Sequence, residues 1–144
     1  MGNFFMQESL ILEKSYLFST PLATPSRALF LDRDGVVIED CHHLSNPDRV
    51  KLCLGAKPLI QYACRLNIPV VLITNQSGIS RGLFRWNHFE MVNKRMQELL
   101  GPDAPLAAIY ANGHAPSALG NSWRKPSPKM LFEASKDLCL DLSN

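Results

Sequence analysis

The chain has 144 residues, 46% of them hydrophobic and 19% charged, with a formal net charge of +2. That length holds one domain with a buried core, and the composition is that of a globular protein, not a disordered or fibrous one. The slight charge excess, without any lysine or arginine run, excludes a partner recognised by a global basic field. No nucleic-acid partner is expected, and any anionic ligand must be held by a local site. The four cysteines (Cys41, Cys53, Cys64, Cys139) contain no C-x-x-C pair. They read as reduced thiols in a cytoplasmic protein. No apolar run approaches the roughly 20 residues that cross a bilayer. The N-terminus has no basic segment ahead of its apolar residues, so neither a membrane span nor a signal peptide is expected.

Residues 1–26 read as an N-terminal extension and linker, ending in the Ser/Thr/Pro stretch Ser19-Thr20-Pro21 to Pro25-Ser26. Within it, residues 8–18 are compatible with a short helix or with a frayed tail. Residues 27–144 read as the domain proper. Ala28 to Leu31 is a short apolar run ending in a polar loop, the pattern of a buried parallel strand. Gly55 to Asn67 has helical spacing through Leu59, Ile60, Ala63 and Leu66 and stops before Pro69. Pro69 to Ile73 is apolar and β-branched, a second strand.

Trp86 to Leu100 is an amphipathic helix with Trp86, Phe89, Val92, Met96, Leu99 and Leu100 on one stripe and Gly101 after it. Leu106 to Tyr110 is a third strand. Ser127-Pro128 opens a last helix, with Ser as N-cap and Pro at the first helical position, running to about Leu140. Alternating strands and helices predict an α/β fold with a parallel sheet and right-handed crossovers. Ligands of such sheets bind at the carboxyl ends of the strands, where Asp32, Thr74 and the loop after Tyr110 fall.

Asp32 and Asp34 flank Arg33 just past the first strand, and Gly35 lets the backbone turn away. Desolvation and mutual repulsion both disfavour two charged carboxylates there unless a cation lies between them. A hard divalent ion with oxygen ligands, magnesium above all, meets that need. The competing readings are a solvated post-strand turn or a calcium loop; the apolar lead-in strand and the lack of further spaced acids count against calcium. Thr74-Asn75-Gln76-Ser77-Gly78 closes the next strand with uncharged donors suited to phosphoryl oxygens, and is also good turn chemistry. Arg124-Lys125-Pro126 sets two cations before the last helix.

These three elements, in this order at strand ends, resemble the haloacid dehalogenase-like (HAD) phosphatases. The strings F-L-D-R-D-G-V, T-N-Q-S-G-I-x-R-G and R-K-P-x-P resemble one branch, the D,D-heptose 1,7-bisphosphate phosphatases and their histidinol-phosphate phosphatase relatives, over about residues 27–140. The resemblance implies a Rossmann-like three-layer sandwich without a large cap domain. It implies Asp32 as nucleophile, giving an aspartyl-phosphate, and Asp34 as general acid and base. Magnesium held by Asp32 and by Asp34 through its backbone carbonyl, with Thr74 and Lys125, would stabilise the phosphoryl charge. Asp40, Cys41, His42, His43, Asn75, Gln76, Ser77 and Arg124 would contact substrate. The expected reaction is removal of the 7-phosphate of D-glycero-D-manno-heptose 1,7-bisphosphate. Histidinol phosphate, a nucleic-acid 3′-phosphate end, or a weak remnant that only binds phosphorylated ligands stand as alternatives.

Two departures from the family pattern shape these expectations. The G-D-x-x-x-D type acidic motif of a fourth strand is not found before Asn144, about where that strand should begin, so the C-terminal strands are expected to be missing. Asp137 and Asp141 lie on or just after a helix and are not read as substitutes. An exposed sheet edge is expected where the fourth strand would pair. The branch also commonly holds a zinc in the loop before R-K-P. Here Asn112, Asn121 and Trp123 stand where cysteines would be, and His114 alone cannot make a tetrahedral site, so no zinc is expected.

Overall fold

The computed structural model describes residues 11–116 and 122–143. The elements in chain order are β1 (Glu13–Leu17), β2 (Leu29–Leu31), a 3-10 turn (Pro47–Arg49), α1 (Ala56–Arg65), β3 (Val70–Asn75), α2 (Trp86–Leu100), β4 (Ala108–Asn112) and α3 (Lys129–Leu138). The sheet order is β1-β4-β3-β2. β2, β3 and β4 are parallel, with Leu31 opposite Leu72 and Asn75 opposite Asn112. Their carboxyl ends therefore lie on one side of the molecule, as the alternating pattern requires.

β3 is apolar up to Ile73 because both of its faces are covered. On one face Ile60 and Ala63 of α1 and Phe89, Val92 and Met96 of α2 join Val70 and Leu72 in a core. On the other, Met130, Ala134 and Leu138 of α3 pack with Val71, Ala108 and Tyr110. This is the helix–sheet–helix sandwich expected. α2 matches its predicted limits and ends at Gly101, whose φ of 78° is readily adopted only without a Cβ. β3 and β4 each run two residues past their predicted ends, to Asn75 and Asn112. The ladder between them continues through Thr74 opposite Ala111 and Asn75 opposite Asn112, so both asparagines belong to the sheet, not to the following loops.

The N-terminal segment differs from expectation. Residues 13–17 form neither a helix nor a frayed tail but an edge strand, antiparallel to β4 with Glu13 opposite Asn112 and Leu17 opposite Ala108. Tyr16 explains its seat: the ring lies 6.0 Å from Phe89 and the hydroxyl donates to Glu90 Oε1 at 2.9 Å. Backbone pairing against the outer edge of β4 overrides the weak local propensity of E-K-S-Y-L. The sheet is consequently mixed.

The other border of the sheet is β2, whose three residues are partly buried. Leu140 forms a single parallel bridge with Ser26 there, and the Asp141 amide donates to Ser26 O at 2.8 Å. Among the described residues no helix is long and apolar enough to cross a membrane.

Candidate active site

The site is built on the loop that follows β2. Gly35, at φ 82°, turns the chain, and its amide donates to Ile38 O at 2.8 Å. The Arg33 carbonyl accepts the amides of Val36, Val37 and Ile38, closing the loop into a tight knot. This fixes the two carboxylates in opposite settings. Asp32 faces outward with its side chain 41% exposed, while Asp34 is more covered, at 23%.

Lys125 reaches Asp32 from the segment before α3, its Nζ 2.9 Å from Asp32 Oδ2. The same ammonium donates to Ile73 O at 3.2 Å, which ties it to β3. Asn75 holds the backbone of Lys125 from below: its Oδ1 accepts the Lys125 amide at 3.0 Å and its Nδ2 donates to the Lys125 carbonyl at 3.4 Å. Arg124 turns away and donates through Nη1 to His114 O at 3.0 Å.

Thr74 is fully buried on β3, and its hydroxyl accepts from Gln76 Nε2 at 2.8 Å. The second proton of that amide goes to Asp34 Oδ2 at 2.6 Å. Gln76, expected on the substrate, is 5% exposed and spends its amide joining the two loops. Ser77 is half-buried, and its carbonyl accepts from Ser80 and Arg81.

The Asp40–His43 segment forms one rim. Asp40 Oδ1 accepts the His42 amide at 3.0 Å, and His42 and His43 both hold left-handed backbone, at φ 53° and 60°. The His43 ring is braced 6.4 Å from the Phe84 ring, and a Cβ on Gly78 would stand 2.3 Å from Phe84. Gly78 is thus required for the two loops to meet. Cys41, between Asp40 and His42, is half-buried and packs against the core.

Three residues outside the expected set complete the picture. Arg33, which separates the two aspartates in sequence, is fully buried, with Nη1 donating to Asn93 Oδ1 at 2.9 Å. Asn93 sits on the buried stripe of α2, where a polar residue calls for a partner. Glu13 of β1 accepts the Trp123 amide and lies 3.8 Å from His114 Nε2.

The sequence and the fold have known counterparts. The chain is 47% identical over 122 residues to a D-glycero-beta-D-manno-heptose-1,7-bisphosphate 7-phosphatase of Mesorhizobium japonicum, a match covering 80% of this chain and 56% of that protein. A phosphatase of the same name from Helicobacter pylori is 36% identical over 122 residues, covering 82% of this chain and 70% of that one. The chain belongs to the heptose-bisphosphate phosphatase family. Among solved structures, a HAD-like phosphatase from Mesorhizobium loti superposes with a TM-score of 0.82 at 39% identity, over 91% of this chain and 66% of that one. The D,D-heptose 1,7-bisphosphate phosphatase of B. bronchiseptica, complexed with magnesium and phosphate, gives 0.69 at 32% identity over 76% and 62%. This chain thus spans a little over half of the Mesorhizobium japonicum relative. No family model matches it.

Against the family pattern, the expected magnesium donors are one outward carboxylate and one backbone carbonyl on the Asp32–Asp34 loop. Hard oxygens of this kind suit magnesium, which keeps several waters when protein ligands are few. Among the described residues no group of three His, Cys, Asp or Glu side chains could hold a metal. In the loop before Arg124, Asn112 Oδ1 accepts the His114 amide at 3.4 Å, and Trp123 packs 5.9 Å from Tyr110. Asn121 lies outside the described residues.

Proposed function

We propose that this chain carries the nucleophile half of a phosphatase site for a small sugar phosphate, with the 7-phosphate of D-glycero-D-manno-heptose 1,7-bisphosphate as substrate. The observation that supports it is the convergence of Asp32, Lys125 and Thr74, with Asp34 bonded through Gln76, at the carboxyl ends of β2 and β3. Lys125 lies against the exposed Asp32 carboxylate, while the Arg33 fork and the Gln76 amide hold Asp34, so the two aspartates sit in different settings suited to different tasks.

In this reading an Asp32 carboxylate oxygen attacks phosphorus, and the bond from phosphorus to the sugar oxygen breaks. Asp34 gives its proton to the departing sugar oxygen. It then takes a proton from the water that attacks the aspartyl-phosphate, releasing inorganic phosphate and restoring Asp32. Lys125 offsets charge on the transferring oxygens. Asp32 and the Asp34 carbonyl would hold magnesium, which would supply charge stabilisation to the phosphoryl group. Arg124, Asn75, Ser77 and the Asp40–His43 rim are proposed to face the sugar, and the free thiols accord with a cytoplasmic enzyme.

The test is phosphate release, with and without magnesium, from the heptose bisphosphate and from histidinol phosphate. Magnesium-dependent turnover of the heptose ester that disappears in Asp32→Asn is expected. Absence of turnover on every ester offered would overturn the proposal, and preference for histidinol phosphate would reassign the substrate.

A further inference from the structure

Among the described residues Arg33 is the largest fully buried side chain, and in sequence it separates the two aspartates of the proposed site. Desolvating a guanidinium is costly unless its donors meet a carboxylate in good geometry. Here Nε donates to Asp34 Oδ2 at 3.2 Å and Nη2 to Asp34 Oδ1 at 3.1 Å, a two-pronged fork on one carboxylate. Nη1 is taken by Asn93 on α2, and the guanidinium carbon lies 4.7 Å from the centre of the Phe89 ring on the same helix. Phe89 and Asn93 are one helical turn apart, so a single rigid face of α2 sets both the position and the tilt of the guanidinium plane. A planar fork in turn fixes the rotation of the carboxylate it holds.

The two oxygens of Asp34 are not equivalent. Oδ2 accepts two donors, Arg33 Nε and Gln76 Nε2, while Oδ1 accepts Arg33 Nη2. A carboxylate oxygen has two lone-pair sites, so Oδ2 is filled and Oδ1 keeps one site for a proton. We infer that Arg33 and Asn93 are positioning residues of the proposed phosphatase: through the fork on Asp34 they present Oδ1 as the oxygen that exchanges the proton with the leaving group. This inference rests on the phosphatase reading and adds to it a support that reaches from α2 into the site.

Leaving-group dependence separates positioning from general support of the fold. A sugar alkoxide needs a proton as it departs, whereas p-nitrophenolate does not. The variants are Asn93→Leu, which keeps volume and removes the acceptor, and Arg33→Lys, which keeps charge and removes the fork. Asn93→Asp, which keeps an oxygen facing Nη1, is the conservative control. Thermal unfolding identifies any variant that fails to fold, and Asn93→Leu carries the test if Arg33→Lys does.

For the heptose ester, single-turnover cleavage is expected to fall about 10- to 100-fold in Asn93→Leu, inside the range that general acid–base catalysis contributes. The burst of p-nitrophenolate from the aryl ester should persist near the wild-type rate and be followed by slow turnover, since water activation uses the same oxygen. Asn93→Asp should recover most of the loss. Equal slowing on both esters, or no slowing on the heptose ester, overturns the inference and leaves the phosphatase intact. A wild-type chain inert on both esters overturns the phosphatase reading, and the positioning role falls with it.

Discussion

Lys125 Nζ lies 2.9 Å from Asp32 Oδ2, and the same ammonium donates to the carbonyl of Ile73. The lysine is thus aimed by the β3 backbone and by the Asn75 side chain before any ligand arrives. Because the Asp32 side chain is 41% exposed, water screens the pair and its contribution to stability is small, about 0–1 kcal/mol. In the proposed reaction its value would lie in preorganised charge beside the phosphoryl group.

Lys125→Met should therefore separate activity from stability. Turnover is expected to fall on the order of 100- to 1,000-fold, the usual loss when one preorganised donor is removed, while the melting midpoint stays close to wild type. Lys125→Arg should not restore it, because a planar guanidinium cannot serve the Ile73 carbonyl and Asp32 in the same geometry. Steady-state kinetics and thermal unfolding on the same preparations decide; a parallel loss of stability would count against this view.

Gln76 predicts the reverse pattern. Its amide supplies a donor to both Asp34 Oδ2 and Thr74 Oγ1, and it is 5% exposed. Gln76→Leu leaves two acceptors without that donor and should cost about 1–3 kcal/mol in urea unfolding. Gln76→Glu sets a carboxylate where an amide now touches Asp34 and should cost more at neutral pH than Gln76→Leu. If Gln76→Glu proves as stable as wild type, the amide does not hold the two loops together.

The parts of this site that were legible in the sequence are those written at strand ends. Asp32 follows an apolar run and Thr74 closes one, and strand direction alone brings the two together; Lys125 is marked instead by the Arg-Lys pair ahead of the last helix. Asn75 and Asn112 read as loop residues because the apolar stretch stops before them; the ladder continues with the two opposite each other, and the Gln76 amide donates to Asn112 O at 2.6 Å. The burial of Arg33 is not legible in the sequence, because it depends on Asn93 and Phe89 of α2, about sixty residues away.

Asn93 did carry a signal, an amide on the apolar stripe of α2 one turn from Phe89. β1 carried almost none. Its partner β4 is distant in sequence, and E-K-S-Y-L has neither clean alternation nor an apolar run, so only tertiary pairing makes it a strand.

Two tyrosines give the fold an alkaline limit. Tyr110 is fully buried and donates to Asp137 Oδ2 at 2.8 Å; burial first, and then Asp137, hold its hydroxyl protonated well above the ordinary tyrosine range. Burial and Glu90 do the same for Tyr16. An unfolded tyrosine loses its proton near pH 10 while these keep theirs, so their contribution is complete below about pH 10 and is lost as the pH climbs beyond it. Stability measured in denaturant should fall with pH in that range, and Tyr110→Phe should flatten the slope. An unchanged slope in Tyr110→Phe would show that Tyr110 is not one of its sources.

The last prediction concerns the clasp between β1 and the segment leading to Arg124 and Lys125. Glu13, the first residue of β1, accepts the Trp123 amide and lies 3.8 Å from His114 Nε2, while the Gly113 amide donates to Leu12 O at 2.6 Å. β1 thereby fastens the chain on both sides of the turn that delivers the two cations. A hydrogen bond to a carboxylate is worth about 1.5–3 kcal/mol, so Glu13→Ala should destabilise by an amount in or below that range and speed hydrogen exchange at the Trp123 amide. Glu13→Gln keeps an acceptor oxygen and should retain most of the protection while losing the attraction to His114. Because Asn75 still holds Lys125 through two hydrogen bonds, phosphate turnover in Glu13→Ala should drop much less than in Lys125→Met. Exchange at Trp123 that is the same in wild type and Glu13→Ala would mean that β1 covers the sheet edge without fastening the catalytic segment.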